Sequence, residues 1–188
     1  DVAVVGDAKL AAESILAALP LGFNAEKPFR SEEVRGMLAA FDIDKDFQPA
    51  NTPRTVDMHS LGAALNKLLP EQKNIVYDAG NFLGILPYLS VPGPGHFKMT
   101  SEFASIGLGF GTALGVARGR PDIPTVLVIG DGGLLMTMGE LETVVREDIP
   151  LVIILMNDCA YGAELHFLRM RSLPEAKSAF PDVDFAPV

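Results

Sequence analysis

The 188-residue chain is short of several things, and each shortage closes off a class of function. It has a single cysteine, Cys159, so an intrachain disulfide framework is excluded and a reducing, cytoplasmic setting is expected. Basic residues are scarce: 15 Lys and Arg against 24 Asp and Glu leave a net charge of −9. Without a basic cluster no nucleic-acid partner is expected, because neutralising phosphates takes grouped Lys and Arg. An anionic small ligand would then need a metal ion or backbone N–H groups. No apolar run reaches the roughly 18 residues of a membrane-crossing helix, and no basic segment precedes an apolar core at the start, so neither a membrane span nor a signal peptide is read. There is no initiator Met. The chain opens on DVAVVGDAKL and stops at DVDFAPV, and both ends read as cut, so a fragment is expected.

The common phosphate signatures are missing too. No G-x-x-x-x-G-K-[ST] loop occurs. GLGFGTALG imitates a dinucleotide fingerprint but, counted from Gly107, places Thr112 where the third glycine belongs, and it does not follow directly on a strand.

What is present is ample apolar material, 48% of residues, arranged in alternating runs. VAVVGD reads as a strand and AKLAAESILAALP as an amphipathic helix closed by Pro20. Residues 1–20 are taken as the end of one domain. Residues 21–55 are polar and proline-punctuated and read as a linker, with one helix candidate, SEEVRGMLAAF, started by Ser31. Residues 56–188 read as a further domain, truncated at its C-terminus. Here DMHSLGAALNKLLP, SEFASIGLGFGTALGVARG and MGELETVVRED are helices, and NIVYDAG, TVLVIGDGG and LVIILMND are strands. Continuous apolar strands alternating with helices predict an α/β fold, a parallel sheet with helices on both faces.

Three of these strands end in aspartate: Asp78, Asp131 and Asp158. Right-handed crossovers bring the carboxyl ends of parallel strands to one sheet edge, where ligands bind. Strand-ending aspartates also serve as plain turn formers. Gly130, Gly132 and Gly133 leave the backbone around Asp131 unobstructed at the start of a helix, where free N–H groups favour an anion. A carboxylate beside a phosphate needs a cation between them, and Mg²⁺ takes one or two carboxylates plus phosphate oxygens. The residues thus predict a Mg²⁺-bridged phosphate or diphosphate.

At this point the chain resembles a known family. G-D-G followed, after residues 133–156, by Asn157-Asp158 resembles the diphosphate-binding motif of thiamine-diphosphate enzymes. The flanks NIVYDAGNF, SEFASIGLGFGTALGVARGRPDIPTVLVIGDGG and GELETVVREDIPLVIILMND resemble, in order, the C-terminal domain of acetolactate synthase-type and 2-oxo acid decarboxylase-type members. DVAVVGDAKLAAESILAAL resembles the close of their middle domain.

The resemblance implies Mg²⁺ ligands at Asp131, Asp158 and the Ala160 carbonyl. It implies N–H donors to the diphosphate at Gly132 and Gly133, with the turn of Gly80, Asn81 and Phe82 on the other side. Ile106 would prop the bent thiamine, the Ala104 carbonyl would accept from the aminopyrimidine, and Gly130, Tyr161 and Gly162 would adjoin the cofactor. Further implied are a small 2-oxo acid substrate, lyase or transferase chemistry, and a homodimer or tetramer. Position 158 holds Asp where the family usually has Asn. The family's activating Glu lies on a separate domain, so no catalytic acid–base residue is assigned here, and the chain alone is expected to be inactive.

Other features carry less. Tyr161, Glu164 and His166 could line a substrate cavity, His96 reads as a solvated loop residue, and Cys159 as packing. The competing functional readings are a Mg²⁺-dependent phosphohydrolase, whose early D-x-D-x-[TV] strand end DIDKD does not match, and a cofactor-binding module without turnover.

Overall fold

The computed structural model describes residues 3–20, 29–45, 47–100 and 103–187. The chain divides into two compact units, Asp1–Gln48 and Pro49–Val188. The division falls inside the stretch read as a linker, of which residues 21–28 and 46 lie outside the described residues.

The first unit holds two helices. Helix α1, Ala8–Ala18, starts where the Asp7 carboxylate accepts from the Lys9 and Leu10 N–H groups at 3.0 and 3.1 Å. Helix α2, Glu32–Ala39, starts at Ser31, whose hydroxyl accepts from the Val34 N–H at 3.2 Å. Both are side-chain caps that satisfy otherwise orphaned donors. Neither helix buries a residue. Of the strand expected in VAVVGD, Val2 lies outside the described residues; Ala3 to Val5 carry no strand pairing, and Val5 is exposed. A strand needs a partner for its backbone groups, and the described residues of this unit contain no other strand.

The second unit carries the sheet. Asp57 caps α3, Met58–Leu68, accepting from the Ser60 N–H at 2.8 Å. The strands are β1 (Asn74–Tyr77), β2 (Phe97–Met99), β3 (Thr125–Gly130) and β4 (Leu151–Met156). They are all parallel, in the order β2-β1-β3-β4. The connections hold a 3₁₀ segment at Asn81–Tyr88 and the helices α4 (Leu108–Gly119), α5 (Asp131–Thr137) and α6 (Glu140–Arg146); α7 (Gly162–Met170) follows β4.

Each face of the sheet has its own core. Ile75, Tyr77 and Val128 pack with Leu65 of α3 and with Phe82 and Ile85 of the 3₁₀ segment. On the other face Val76, Leu127 and Ile129 pack with Phe110 and Ala113 of α4 and Leu134 of α5. Cover on both faces is why the strands are continuously apolar.

The expected helix over SEFASIGLGFGTALGVARG begins only at Leu108, after Gly107 with φ of +87°, a left-handed conformation that glycine adopts without strain. Ser101 and Glu102 lie outside the described residues. Strand β2, the 3₁₀ segment and α7 were not foreseen. Among the described residues, no helix is long and apolar enough to cross a membrane.

Candidate functional site

The carboxyl ends of β1, β3 and β4 open onto one cleft of about 270 Å³. From the segment after β1 come Gly80, Asn81 and Phe82. From the turn before α4 come Ala104 and Ile106. From the β3–α5 junction come Gly130, Asp131, Gly132 and Gly133, and from the loop after β4 come Asp158, Ala160, Tyr161 and Gly162. Every residue that the sequence assigned to a cofactor therefore borders the same space.

Asp131 is the first residue of α5, one position beyond the end of β3 at Gly130, and not the last residue of the strand as expected. It is 2% exposed. Its Oδ1 accepts from the Gly132 N–H at 2.8 Å, while Oδ2 is buried with no hydrogen-bond partner among the described residues. A buried, unpartnered carboxylate oxygen is costly unless something arrives to satisfy it. Burial pushes the Asp131 carboxyl above the usual aspartate range; the Gly132 N–H opposes this, and the nearby Asp158 charge adds to it. Burial also raises Asp158, against the Ala160 N–H that bonds its Oδ1 at 3.2 Å. A cation placed between the two carboxylates would oppose both shifts. Among the described residues no group of three or more His, Cys, Asp or Glu side chains could hold a metal. A divalent ion here would thus rest on two carboxylates and on oxygens of other kinds, a donor set that suits Mg²⁺. The residues fit such an ion.

The loop after β4 is bent to present its groups. Cys159 has φ of +58°, a left-handed turn between Asp158 and Ala160, and Ala104 across the cleft has φ of +50°. Such conformations in residues with a side chain are strained and collect at functional sites. The bend is fastened from outside. The Tyr161 N–H donates to Ser178 O at 2.8 Å and the Phe180 N–H to Cys159 O at 2.9 Å. Asn157 faces away from the cleft lining: its amide donates to Val183 O at 3.1 Å and accepts from the Cys159 N–H at 3.3 Å. The Cys159 thiol is raised by burial and by Asp182, which fits an inert thiol.

Glycine makes the cleft floor. A methyl group on Gly132 would stand 2.8 Å from the Tyr161 ring, and one on Gly130 would stand 2.9 Å from the Phe82 ring. A methyl on Gly162 would overlap the Asp158 carboxylate and lie 3.1 Å from Asn81 Cβ. Gly162→Ala is accordingly expected to displace Asp158, which can swing toward solvent. With Asp158 as one of the two carboxylates that fit an ion, Mg²⁺-dependent cofactor affinity should fall roughly tenfold, the scale of changes that displace a group orienting a metal, with stability changed by less than about 1 kcal/mol. Calorimetric titration in Mg²⁺ checks this, and an affinity within twofold of the parent would refute it.

Some expectations shift. The Gly132 N–H is occupied by Asp131, so it is not a free donor. Ile106 sits in the turn before α4, not in a helix core, with Cδ1 3.6 Å from where a Gly132 Cβ would be. Glu164 lines the cleft and His166 does not. His96 is half-buried at the opposite end of the sheet instead of being solvated. Asp78, the third strand-ending aspartate, is 0% exposed and not part of the cleft lining. It accepts from the Gly107 N–H at 2.6 Å, the Gly109 N–H at 3.0 Å and the Thr100 hydroxyl at 3.3 Å, so it fixes the start of α4. Leu83, Met99 and Met156 also line the cleft and were missed. Met156 could have been found as the residue preceding the Asn-Asp pair, whereas Met99 lies on the unforeseen β2.

The family model of thiamine pyrophosphate enzymes, C-terminal TPP binding domain, matches residues 78–188. A sulfoacetaldehyde acetyltransferase of Alcaligenes xylosoxydans xylosoxydans is 27% identical over 186 residues, covering 87% of this chain and 31% of that protein. A probable acetolactate synthase large subunit of Methanocaldococcus jannaschii is 30% identical over 167 residues, covering 86% of this chain and 28% of that protein. The chain thus spans about a third or less of these relatives. Among solved structures, a thiamine diphosphate-dependent 4-hydroxybenzoylformate decarboxylase of Rhodococcus jostii RHA1 superposes with a TM-score of 0.67 at 21% identity, over 75% of this chain and 27% of that one. That likeness is one of fold.

Proposed function

Because the chain belongs to the thiamine pyrophosphate enzymes through their C-terminal TPP-binding domain, we propose that its cleft holds the diphosphate end of thiamine diphosphate across a Mg²⁺ ion, within an enzyme that acts on a 2-oxo acid by acetolactate synthase-like carboligation or by decarboxylation. The observation that carries the metal is the buried Oδ2 of Asp131, without a partner at the glycine floor of the cleft. Asp131, Asp158 and the Ala160 carbonyl would hold the ion, with Gly133 beside them in the cleft lining. Ile106 and Tyr161 supply apolar walls, and Gly80, Asn81 and Phe82 close the other side. When bound, the cofactor would supply a nucleophilic thiazolium carbon for the substrate's 2-oxo carbon and a cationic ring as the electron sink. The ionisable groups in the cleft lining are Asp131, Asp158 and Glu164, together with the Tyr161 phenol. No cation for a substrate carboxylate stands among these lining residues, which supports completion of the site by a second subunit in a homodimer or tetramer. The names of the relatives, an acetyltransferase and a probable acetolactate synthase large subunit, support transferase or lyase chemistry. The phosphohydrolase alternative is not favoured.

The test has two arms. Titration of thiamine diphosphate into the chain should give binding with Mg²⁺ and none in EDTA, without turnover of pyruvate by the 188 residues alone. Equal affinity in EDTA would overturn the metal bridge. Mass spectrometry of products from pyruvate with the full-length protein then reports carboligation or decarboxylation, and no consumption of pyruvate or of other 2-oxo acids would overturn the substrate class.

A further inference from the structure

The parallel sheet has a second end. Opposite the cleft, where β1 begins and α4 stops, lies a cavity of about 220 Å³ bordered by Asn74, His96, Lys98, Gly115, Gly119 and Arg120. Register explains its position. Lys98 on the edge strand β2 pairs with Val76, and Val76 lies in the core under α4 with Phe110 and Ala113. Residues paired across parallel strands share a face, so Lys98 stands on the α4 side. There α4 offers Gly115 and Gly119, at which a methyl group would meet nothing within 4 Å. The space that larger residues would fill is left open.

The chemistry of the border is cationic in a chain of net charge −9. Arg120 donates through Nη1 to the Gly95 carbonyl at 3.0 Å and to Asn74 Oδ1 at 3.3 Å, which fixes its guanidinium at the opening. Neither Lys98 nor Arg120 takes part in an ion pair among the described residues. Asn74 is 1% exposed, and its amide reaches the Ile123 carbonyl and Thr125 hydroxyl only at 3.5 Å, the weak limit for a hydrogen bond, so donor capacity is held in reserve. His96 is half-buried, with Nδ1 shielded and unpartnered.

We propose that this cavity binds a small oxyanion, inorganic phosphate or the phosphate monoester of a small metabolite, between Lys98 and Arg120 with His96 at the rim. A fixed guanidinium fork and a mobile ammonium are the pair that grips a tetrahedral anion from two sides. Unlike the acidic cleft at the other end of the sheet, this site needs no metal to accept an anion, and that difference separates the two experimentally.

The experiment is a ¹H–¹⁵N NMR titration of the chain with inorganic phosphate, and in parallel with glycerol phosphate, in EDTA at ionic strength held constant with chloride. Saturable shifts are expected at Lys98, Arg120 and His96, and the tighter of the two ligands identifies the source. Lys98→Gln, a change at an exposed side chain that leaves the fold intact, should weaken the apparent Kd at least fivefold. Arg120→Gln should do the same, and the double variant should not saturate. Non-saturating shifts, shifts reproduced by chloride alone, or an unchanged Kd in Lys98→Gln would overturn the proposal. So would movement of the same resonances with protein concentration in the absence of phosphate, which would assign the face to self-association.

Discussion

Asp131→Asn is expected to lower Mg²⁺-dependent cofactor affinity by on the order of 100-fold or more, and at the same time to stabilise the metal-free protein at neutral pH by about 1–3 kcal/mol. The first effect follows from scale. Changes to groups that merely orient a metal ligand cost about 10–100-fold; asparagine keeps one oxygen but loses the charge of the ligand itself, so the cost falls at or above the top of that range. The second follows from Oδ2, which is buried and unpartnered. An amide at the same place also lacks a partner, but a buried neutral group costs less than a buried ion.

The pH dependence has a definite sign. The folded-state value of Asp131 is raised, first by burial and also by Asp158. The fold therefore prefers the protonated acid, and its stabilising contribution is complete below the ordinary aspartate value. It is lost as pH rises through the folded value. In EDTA the parent should lose stability across that window toward neutrality, and Asp131→Asn should lose less. Mg²⁺ with cofactor should restore the parent alone. Urea denaturation over a pH series reads all of this, and a variant that is no more stable at pH 7, or one that still binds cofactor at parental affinity, would disprove the assignment.

Asp78→Ala is expected to destabilise the second unit by about 3–5 kcal/mol, although Asp78 does not border the cleft. Its carboxyl receives two backbone N–H groups from the start of α4 and the Thr100 hydroxyl. Gly107 and Gly109 are buried, so the alanine leaves two donors with neither protein nor water, at about 1–3 kcal/mol each. It also removes atoms against which Gly109 and Gly133 are packed. Asp78→Asn keeps one good acceptor and should cost about half as much. The measurement is equilibrium unfolding in urea, and a loss under about 1 kcal/mol for Asp78→Ala would show that α4 is held by other means. Because Ala104 and Ile106 lie in the turn that Asp78 fixes, cofactor affinity should fall with stability.

These two aspartates show what a sequence discloses and what it withholds. The apolar runs of β1, β3 and β4 stop sharply, so their ends, and the meeting of Asp131 with Asp158, follow from pattern and topology alone. The different fate of Asp78 does not, because it depends on N–H groups some thirty residues away finding that carboxyl. Strand β2 is hidden for another reason: Phe97, Lys98 and Met99 are too few to show a period, and they follow a Pro-Gly run that reads as loop. Val4 and Val5 err the other way, with strand composition but no strand to pair with among the described residues of their unit. At Gly132 the sequence shows an available donor, and only the rotamer of its neighbour reveals that Asp131 has taken it.

The parallel register of β3 and β4 runs unbroken from Thr125↔Leu151 to Gly130↔Met156. The segments that bear Asp131 and Asp158 leave from adjacent points at the end of that ladder, so their separation in space is set by strand pairing and not by the length of chain that joins them. Insertions or deletions in the α5–α6 connection, near Met138 and Gly139, are then absorbed outside the sheet. A one-residue slip within β4 is not: it moves Asp158 by about 3.3 Å along the strand and turns each β4 side chain to the opposite face. The gap between the two halves of the motif is thus free to vary in length, while each half is held in place by its own strand.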